Sequence, residues 1–156
     1  MSTIETGWIE LPDTPSIAGL RFRCYRDEGD IAGMAAVIRA ANAANGEAEY
    51  VSDDYLRALV AHPTHFPPQA ARLLALVDDR IVACSLFEQA DTTAGVRNYS
   101  SSGSVHPEWR RRGLGTAMAT WNEARLLEIA AAQRHPGGSA LTTWIEEADV
   151  GATALA

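Results

Sequence analysis

The feature that most constrains the fold is the stretch V-H-P-E-W-R-R-R-G-L-G-T at residues 105–116. A polar, strand-like segment leads into it. After Gly113, apolar residues recur at three- and four-residue spacing, which predicts the longest helix of the chain. The first N–H groups of a helix have no intrahelical partner, so a short turn before the helix exposes several donors. The stretch therefore predicts a strand, a donor-rich turn and a helix in direct succession.

Length and charge limit the class of protein. With 156 residues, 47% of them hydrophobic, the chain can bury the core of one domain over residues 1–156. A formal charge of −7 argues against general binding to nucleic acid or to an anionic membrane. No apolar run reaches the ~18 residues of a membrane span, and residues 1–10 lack the features of a secretion signal. We therefore expect a soluble, cytoplasmic protein.

Cysteine and histidine give no evidence of a metal site. Cys24 and Cys84 each lie in an apolar, strand-like segment without metal-ligand spacing, so we expect two reduced core residues. His62 and His65 are close in sequence, but no further ligand cluster accompanies them. No metal is predicted.

Hydrophobic patterning predicts the order of the elements. The predicted strands cover residues 20–25, 70–77, 81–87, 96–105 and 140–145, with a hairpin turn at 78–80. Helices are predicted after the N-cap residues Asp30 and Ser52 and after Gly113, a loop covers 62–69, and residues 146–156 resemble the opening of another helix. Because a helix separates the last two strands, they should pair in parallel. We expect an α/β fold with a mixed, mostly antiparallel central sheet flanked by helices.

Two helical faces follow from the same spacing. The second helix is predicted to bury Tyr55, Leu56, Leu59 and Val60. The long helix is predicted to bury Leu114, Ala117, Met118, Trp121, Ala124, Leu127 and Ala131, with Asn122 on the polar side.

The turn itself favours an anionic ligand. Gly113 and Gly115 carry no Cβ that would keep an anion from the backbone, and Thr116 adds a hydroxyl donor. Three consecutive arginines supply the local positive charge that an acidic protein needs for such a ligand. They are Arg110, Arg111 and Arg112.

Two phosphate-binding motifs are excluded. A P-loop requires a lysine after its last glycine, and none follows Gly115. A dinucleotide fingerprint requires a third glycine where this chain has Met118, and it opens a parallel unit instead of following hairpins. Hydrolysis of a nucleoside triphosphate is therefore not expected, although a nucleotide-binding domain of another kind stays a distant alternative.

The stretch resembles the acetyl-CoA signature of the GNAT superfamily of N-acetyltransferases, R/Q-x-x-G-x-G/A, with Arg110, Gly113 and Gly115 at the defining positions. The V-H-P lead-in and the R-R-R-G-L-G-T-A-M run look especially similar to mycothiol synthase and related tandem-domain acetyltransferases. The resemblance implies transfer of an acetyl group from acetyl-CoA directly to a small-molecule amine.

The resemblance also implies where coenzyme A would bind. The pantetheine would contact the strand before the signature, and the pyrophosphate would contact the amides of residues 111–116. The amine would enter between the segments 96–105 and 140–145. The implied cofactor-binding residues are Ser104, Val105, Arg110, Arg111, Arg112, Gly113, Leu114, Gly115 and Thr116.

The resemblance is incomplete on the catalytic side. Such enzymes often use a glutamate on the central strands as base, and the carboxylates near there are Glu88, Glu146 and Glu147, each of which also fits a solvated strand end. The tyrosine acid and the last two strands are missing, so no catalytic residue is assigned. We expect either a piece of a longer protein, such as half of a tandem pair, or a natural short form, with a second such domain or a homodimer as partner. The alternative function is a non-catalytic acyl-CoA-binding or supporting domain.

Overall fold

A computed structural model describes residues 7–47 and 50–143. They form one five-stranded sheet in which the strands follow each other in chain order. The first four strands are antiparallel, and the fifth pairs in parallel with the fourth. The strands are β1 (Leu20–Cys24), β2 (Arg72–Val77), β3 (Arg80–Asp91), β4 (Arg97–Val105) and β5 (Ser139–Thr143). The predicted mixed, mostly antiparallel α/β fold is confirmed.

Four helices accompany the sheet. They are α1 (Ile31–Ala44), α2 (Asp53–Ala61), the short α3 (Pro68–Ala71) and α4 (Leu114–Gln133). One face of the sheet packs on α1 and α2 around buried residues such as Met34, Leu56 and Leu74. The other face packs on α4 through Phe22, Ala75 and other buried residues. Because both faces of the central strands are covered, β2 reads as an almost uninterrupted apolar run.

The predicted hairpin turn is confirmed. Asp78 and Asp79 both have a positive φ, of 49° and 68°, and aspartate tolerates this left-handed conformation better than most residues. Residues in this conformation turn the chain tightly enough to pair β2 with β3. The second strand of the hairpin runs to Asp91, four residues beyond the predicted end at Phe87.

The segment around α2 corrects two predictions. Ser52 caps α2 as predicted, since its hydroxyl accepts a hydrogen bond from the Tyr55 N–H at 3.0 Å. However, Tyr55 and Leu59 are 52% and 45% exposed, so the buried face of α2 is narrower than predicted. The sequence predicts that the loop ends at residue 69 and that the strand begins at residue 70, but residues 68–71 form the short helix α3. Pro68 favours this helix because proline fits well in a first helical turn.

Asp30 does not act as a side-chain cap. It immediately precedes α1, as predicted, but its carboxylate makes no capping hydrogen bond to the helix. Both of its oxygens instead accept hydrogen bonds from the Arg23 guanidinium at 2.9 Å. Asp27 caps the short 3₁₀ turn before α1 by accepting from the Gly29 N–H. A buried ion pair therefore replaces the predicted cap.

The buried face of α4 is rotated from the predicted one. Leu114, Ala117 and Met118 are buried as predicted, whereas Leu127 is 56% exposed and Ala124 is exposed as well. Asn122, predicted on the polar side, is fully buried. Its amide nitrogen donates to the hydroxyls of Ser85 and Ser101, both at 3.0 Å. Buried hydroxyls on the sheet thus provide partners that the spacing of apolar residues does not reveal.

The parallel return to β5 follows α4 as predicted. The chain leaves α4 at Arg134 in a left-handed conformation, and the Arg97 N–H donates to the Gly138 carbonyl at 3.0 Å. The prediction of a strand to Ile145 and of a helical opening at 146–156 lies partly or wholly outside the described residues. No helix in residues 7–47 and 50–143 has the length and apolar character needed to cross a bilayer.

Candidate acyl-CoA site

The turn between β4 and α4 begins with a 3₁₀ helix at Pro107–Trp109. His106 caps it, because its ring nitrogen Nδ1 accepts a hydrogen bond from the Glu108 N–H at 3.2 Å. His106 also donates its own N–H to the Val82 carbonyl on β3. This histidine therefore holds the turn against the sheet.

Two residues with positive φ aim the turn into α4. Arg111 has φ 63° and Gly113, the N-cap residue, has φ 93°. No side chain caps the helix, and its first backbone hydrogen bond runs from the Ala117 N–H to the Gly113 carbonyl. The preceding N–H groups of the helix, at residues 114–116, have no backbone acceptor in the described part of the chain. α4 thus begins with free donors and the positive end of a 20-residue helix.

The three arginines of the signature play different roles. Arg110 is directed inward, where its Nε donates to the Val105 carbonyl at 3.2 Å and its Nη1 donates to Asn45 Oδ1 at 3.1 Å. Arg111 and Arg112 are exposed, and the Arg112 guanidinium lies over the Trp109 ring, 4.8 Å from its centroid. Arg110 therefore fixes the turn, while the other two put positive charge at the helix start.

The two glycines serve the path of the backbone. A Cβ added at Gly113 would lie 3.5 Å from Cγ of Pro15, and one at Gly115 would lie 3.9 Å from Cγ2 of Val105. Both are ordinary contact distances. Gly113 is therefore needed for its left-handed φ more than for space, and Gly115 gives a close start of α4 against β4.

Beside this turn, β4 continues beyond its last described pair with β5. In the described residues, pairing between β4 and β5 ends at Ser101 and Thr143. The Arg97 N–H points towards the β5 side and the His106 N–H towards β3, so odd-numbered residues of β4 present their backbone groups on the β5 side. Gly103 and Val105 therefore offer their N–H groups there. The backbone of Ser104, named from the sequence, points towards β3.

Gly103 is a residue that the sequence resemblance did not single out. A Cβ at this position would lie 2.8 Å from the Cys84 carbonyl oxygen and 2.8 Å from the Ser85 Cβ. No side chain fits there without a shift of β3. A lone glycine inside a polar strand is the signal that could have marked it, since such glycines often indicate close backbone approach.

Glu88 is the described member of the three candidate carboxylates. It lies inside β3 instead of at a strand end, directly opposite Ser100 of β4, and its side chain is exposed. This position is next to the point where β4 and β5 stop pairing. Glu146 and Glu147 lie outside the described residues.

The two cysteines are not candidate nucleophiles. Both are free and buried, as predicted. Burial raises the pKa of Cys24 to about 11 and that of Cys84 to about 12, so neither thiol ionises at neutral pH. Within residues 7–47 and 50–143, no cluster of His, Cys, Asp and Glu side chains could hold a metal ion.

Neither a protein-family model nor a curated protein matches the sequence. Solved structures do match the fold. A GCN5-related N-acetyltransferase from Sphaerobacter thermophilus superposes with a TM-score of 0.57 at 22% identity, over 78% of this chain and 35% of that one. The chain therefore spans about a third of that protein.

Two further structures match over most of both chains. An aminoglycoside acetyltransferase from an uncultured soil metagenomic sample, in complex with trehalose, has a TM-score of 0.57 at 15% identity, over 87% of this chain and 84% of that one. A predicted acetyltransferase from Clostridium acetobutylicum with acetyl-CoA has a TM-score of 0.55 at 15% identity, over 85% and 83%. The chain thus has the fold of the GNAT acetyltransferases.

Proposed function

We propose that this protein is an acetyl-CoA-dependent N-acetyltransferase that acts on a small-molecule amine. The observation that carries the proposal is the start of α4, which has no side-chain cap and carries free N–H groups next to the exposed Arg111 and Arg112. The proposal is supported by structures of the same fold, one of them with acetyl-CoA.

The donor set suits the two halves of coenzyme A. Free helix N–H groups and two arginines favour a pyrophosphate, because partial and full positive charges converge there. The outward N–H groups of Gly103 and Val105 suit the amide carbonyls of a pantetheine arm that lies along β4. We assign the pyrophosphate to the amides of residues 111–116 and the pantetheine to residues 103–105.

The chemistry needs a group that takes a proton from the amine. Acetyl-CoA would supply an activated thioester: the amine nitrogen bonds to the acetyl carbon, the C–S bond breaks, and coenzyme A leaves as a thiolate that takes up a proton from solvent. Glu88 can accept the ammonium proton directly or through a water, since it lies on the strand next to Ser100 and reaches solvent. A backbone N–H of β4 beyond its last described pair with β5 can donate to the carbonyl oxygen on which negative charge develops.

A second candidate function is a non-catalytic domain that binds acyl-CoA or supports a catalytic neighbour. The free N–H groups at the start of α4 suit binding of the coenzyme with or without acetyl transfer. A second domain of this fold or a second copy of the chain remains a predicted partner.

The acceptor is proposed as a small-molecule amine. The aminoglycoside acetyltransferase with the same fold supports this choice. It does not identify the amine, because its sequence identity to this chain is only 15%.

The first experiment is a thermal shift with acetyl-CoA, coenzyme A and ATP in separate samples. A ligand at ~100 times its Kd stabilises the native state by ~2.7 kcal/mol, which gives a clear rise in Tm. We expect acetyl-CoA and coenzyme A to raise Tm. Stabilisation by ATP alone would contradict the proposal.

Thiol release with a panel of amines then separates the two candidate functions. Release that depends on an amine, and that falls in Glu88→Gln, supports the enzyme. Tight binding of acetyl-CoA without release for any amine supports the non-catalytic domain.

A further inference from the structure

An arginine without an ion pair lies on the sheet face that α1 and α2 cover. Arg72, the first residue of β2, is partly buried. Within the described part of the chain, no carboxylate and no other acceptor lies within hydrogen-bonding distance of its guanidinium. None of its side-chain nitrogens is both fully buried and without a hydrogen-bond partner, so the guanidinium reaches solvent.

The strand pattern fixes the direction of this side chain. Leu74 and Cys84 pack with the residues of α1 and α2. Side chains on a strand alternate between the two faces, so Arg72 points to the same face as Leu74, and Glu88 to the same face as Cys84. The electrostatic neighbours of Arg72 include Cys84, Glu88 and Tyr25, which agrees with this placement.

Arg72 lies in a row of residues that crosses the sheet to Ser102 of β4. Arg72 is opposite Leu86, and Leu86 is opposite Ser102. Since neighbouring strands are about 4.8 Å apart, the Cα atoms of Arg72 and Ser102 are about 10 Å apart. Ser102 is the first residue of β4 beyond the last described pair with β5.

The next row contributes a carboxylate. Glu88 is two residues beyond Leu86, or about 7 Å along β3, and lies opposite Ser100. Glu88 forms no ion pair with Arg72, although the two charged side chains lie on the same face of the sheet. One cation and one carboxylate therefore flank the half-buried side chains of Ser100 and Ser102, which carry hydroxyls.

We propose that Arg72 and Glu88 together recognise a zwitterionic acceptor, an amino acid whose carboxylate pairs with Arg72 and whose amino group lies between Glu88 and β4. This inference rests on the proposed function, because that function places the reacting amine next to β4. It deepens the proposed function by naming the chemical class of the acceptor.

Charge pairing explains why an acid group is required. A partly buried guanidinium pays a desolvation penalty that a bidentate carboxylate offsets. Burial lowers the pKa of Arg72, which is the direction expected for a cation without a close partner. An amine without an acid group, such as an aminoglycoside, would leave this cation unpaired.

The test uses the full chain and matched pairs of ligands. Each of the common amino acids is compared with its own decarboxylated amine, for instance phenylalanine with phenethylamine and lysine with cadaverine. Binding is measured by thermal shift and by ligand-observed NMR, with and without saturating coenzyme A. We expect at least one amino acid to bind about 10-fold or more tightly than its decarboxylated partner.

Variants then assign the preference to one side chain. Arg72→Gln should remove the preference for the carboxylate, and Arg72→Lys should restore part of it because a positive charge remains. Arg80→Gln is the matched control, since Arg80 is an exposed arginine at the far end of β3. Arg80→Gln should leave the preference for the carboxylate unchanged. All three variants should bind coenzyme A with unchanged affinity.

Three results would overturn the inference. They are the absence of binding for every amino acid, equal affinity for an amino acid and its decarboxylated amine, and an unchanged preference in Arg72→Gln. Because binding is measured without acetyl transfer, each result is independent of the proposed function. Failure of acetyl-CoA to bind, by contrast, would count against that function even if the preference for amino acids is found.

Discussion

The Arg110 guanidinium donates a hydrogen bond to the Asn45 side chain at 3.1 Å and so connects the turn before α4 with the end of α1. The same guanidinium donates to the Val105 carbonyl. One side chain therefore holds β4, the turn before α4 and the end of α1 in a fixed relation. Arg110 thus positions the backbone of the turn through its side-chain hydrogen bonds.

Replacement of Arg110 by lysine tests this role. A lysine keeps the charge but cannot make both hydrogen bonds from one planar group. Loss of a hydrogen bond from a charged group costs ~1.5–3 kcal/mol, so we expect acetyl-CoA to bind ~10- to 100-fold more weakly. Isothermal titration calorimetry measures the affinity. Unchanged affinity in Arg110→Lys would show that the charge alone is sufficient.

The two glycines of the turn should differ in their tolerance of alanine. In Gly113→Ala the new residue must adopt φ 93°, which costs ~1–2 kcal/mol and shifts the start of α4. Gly115→Ala is the matched control, because its Cβ would make only an ordinary contact with Val105. Urea unfolding of both variants should show a loss of stability only in Gly113→Ala. Equal losses would mean that space near Gly115 matters as much as backbone conformation.

Asn122 should be important for stability although it is polar. Asn122→Ala removes two buried hydrogen bonds and leaves the hydroxyls of Ser85 and Ser101 without this partner, so we expect a loss of ~1–3 kcal/mol in urea unfolding. Replacing all three residues by apolar ones of similar size should cost less than Asn122→Ala alone, since no polar atom is then left unsatisfied. A larger loss in the triple variant would show that the polar cluster itself is required.

The ion pair between Arg23 and Asp30 should make stability depend on acid pH. Burial alone would raise the pKa of Asp30, but hydrogen bonds from Arg23 and from the Arg26 N–H hold it below its ordinary value. A lowered pKa in the folded state means that this stabilisation is present above about pH 4 and is lost as pH falls below it. Asp30→Asn leaves a buried arginine unpaired, so we expect a loss of ~3–5 kcal/mol at pH 7.

The pH series provides the check on that prediction. Urea unfolding between pH 7 and pH 3 should show a smaller decline in stability for Asp30→Asn than for the unchanged protein. Parallel declines would show that Asp30 does not contribute to the acid sensitivity.

The cysteines should be unreactive in the folded protein. Because burial raises the pKa of Cys24 to about 11 and that of Cys84 to about 12, the thiolate is scarce at pH 8. A thiol reagent at pH 8 should label both residues only after denaturant unfolds the chain. Rapid labelling of either residue under native conditions would contradict the burial described here.

The order of the elements was predictable because the local signals agree. The hairpin has a turn of residues that tolerate positive φ, Ser52 caps α2, and Gly113 marks the start of α4. Each of these signals acts over a few neighbouring residues, so the sequence alone contains it.

The errors occur where a distant residue decides the outcome. Asp30 is a good cap by its position, but Arg23 on β1 binds its carboxylate. Asn122 looks like a surface residue, but its amide nitrogen donates to hydroxyls on two strands inside the core. The inward direction of Arg110 likewise depends on Asn45, which is 65 positions away in the sequence. Such partners are brought together only by the fold.

The loop after α4 leaves no room for a side chain at one position. A Cβ added at Gly137 would overlap the Gly95 carbonyl oxygen, so the return loop and the β3–β4 turn touch backbone to backbone. The same carbonyl is 2.9 Å from His135 Nε2. The two loops therefore pack as one unit at this end of the sheet, and any side chain at position 137 must displace one loop from the other.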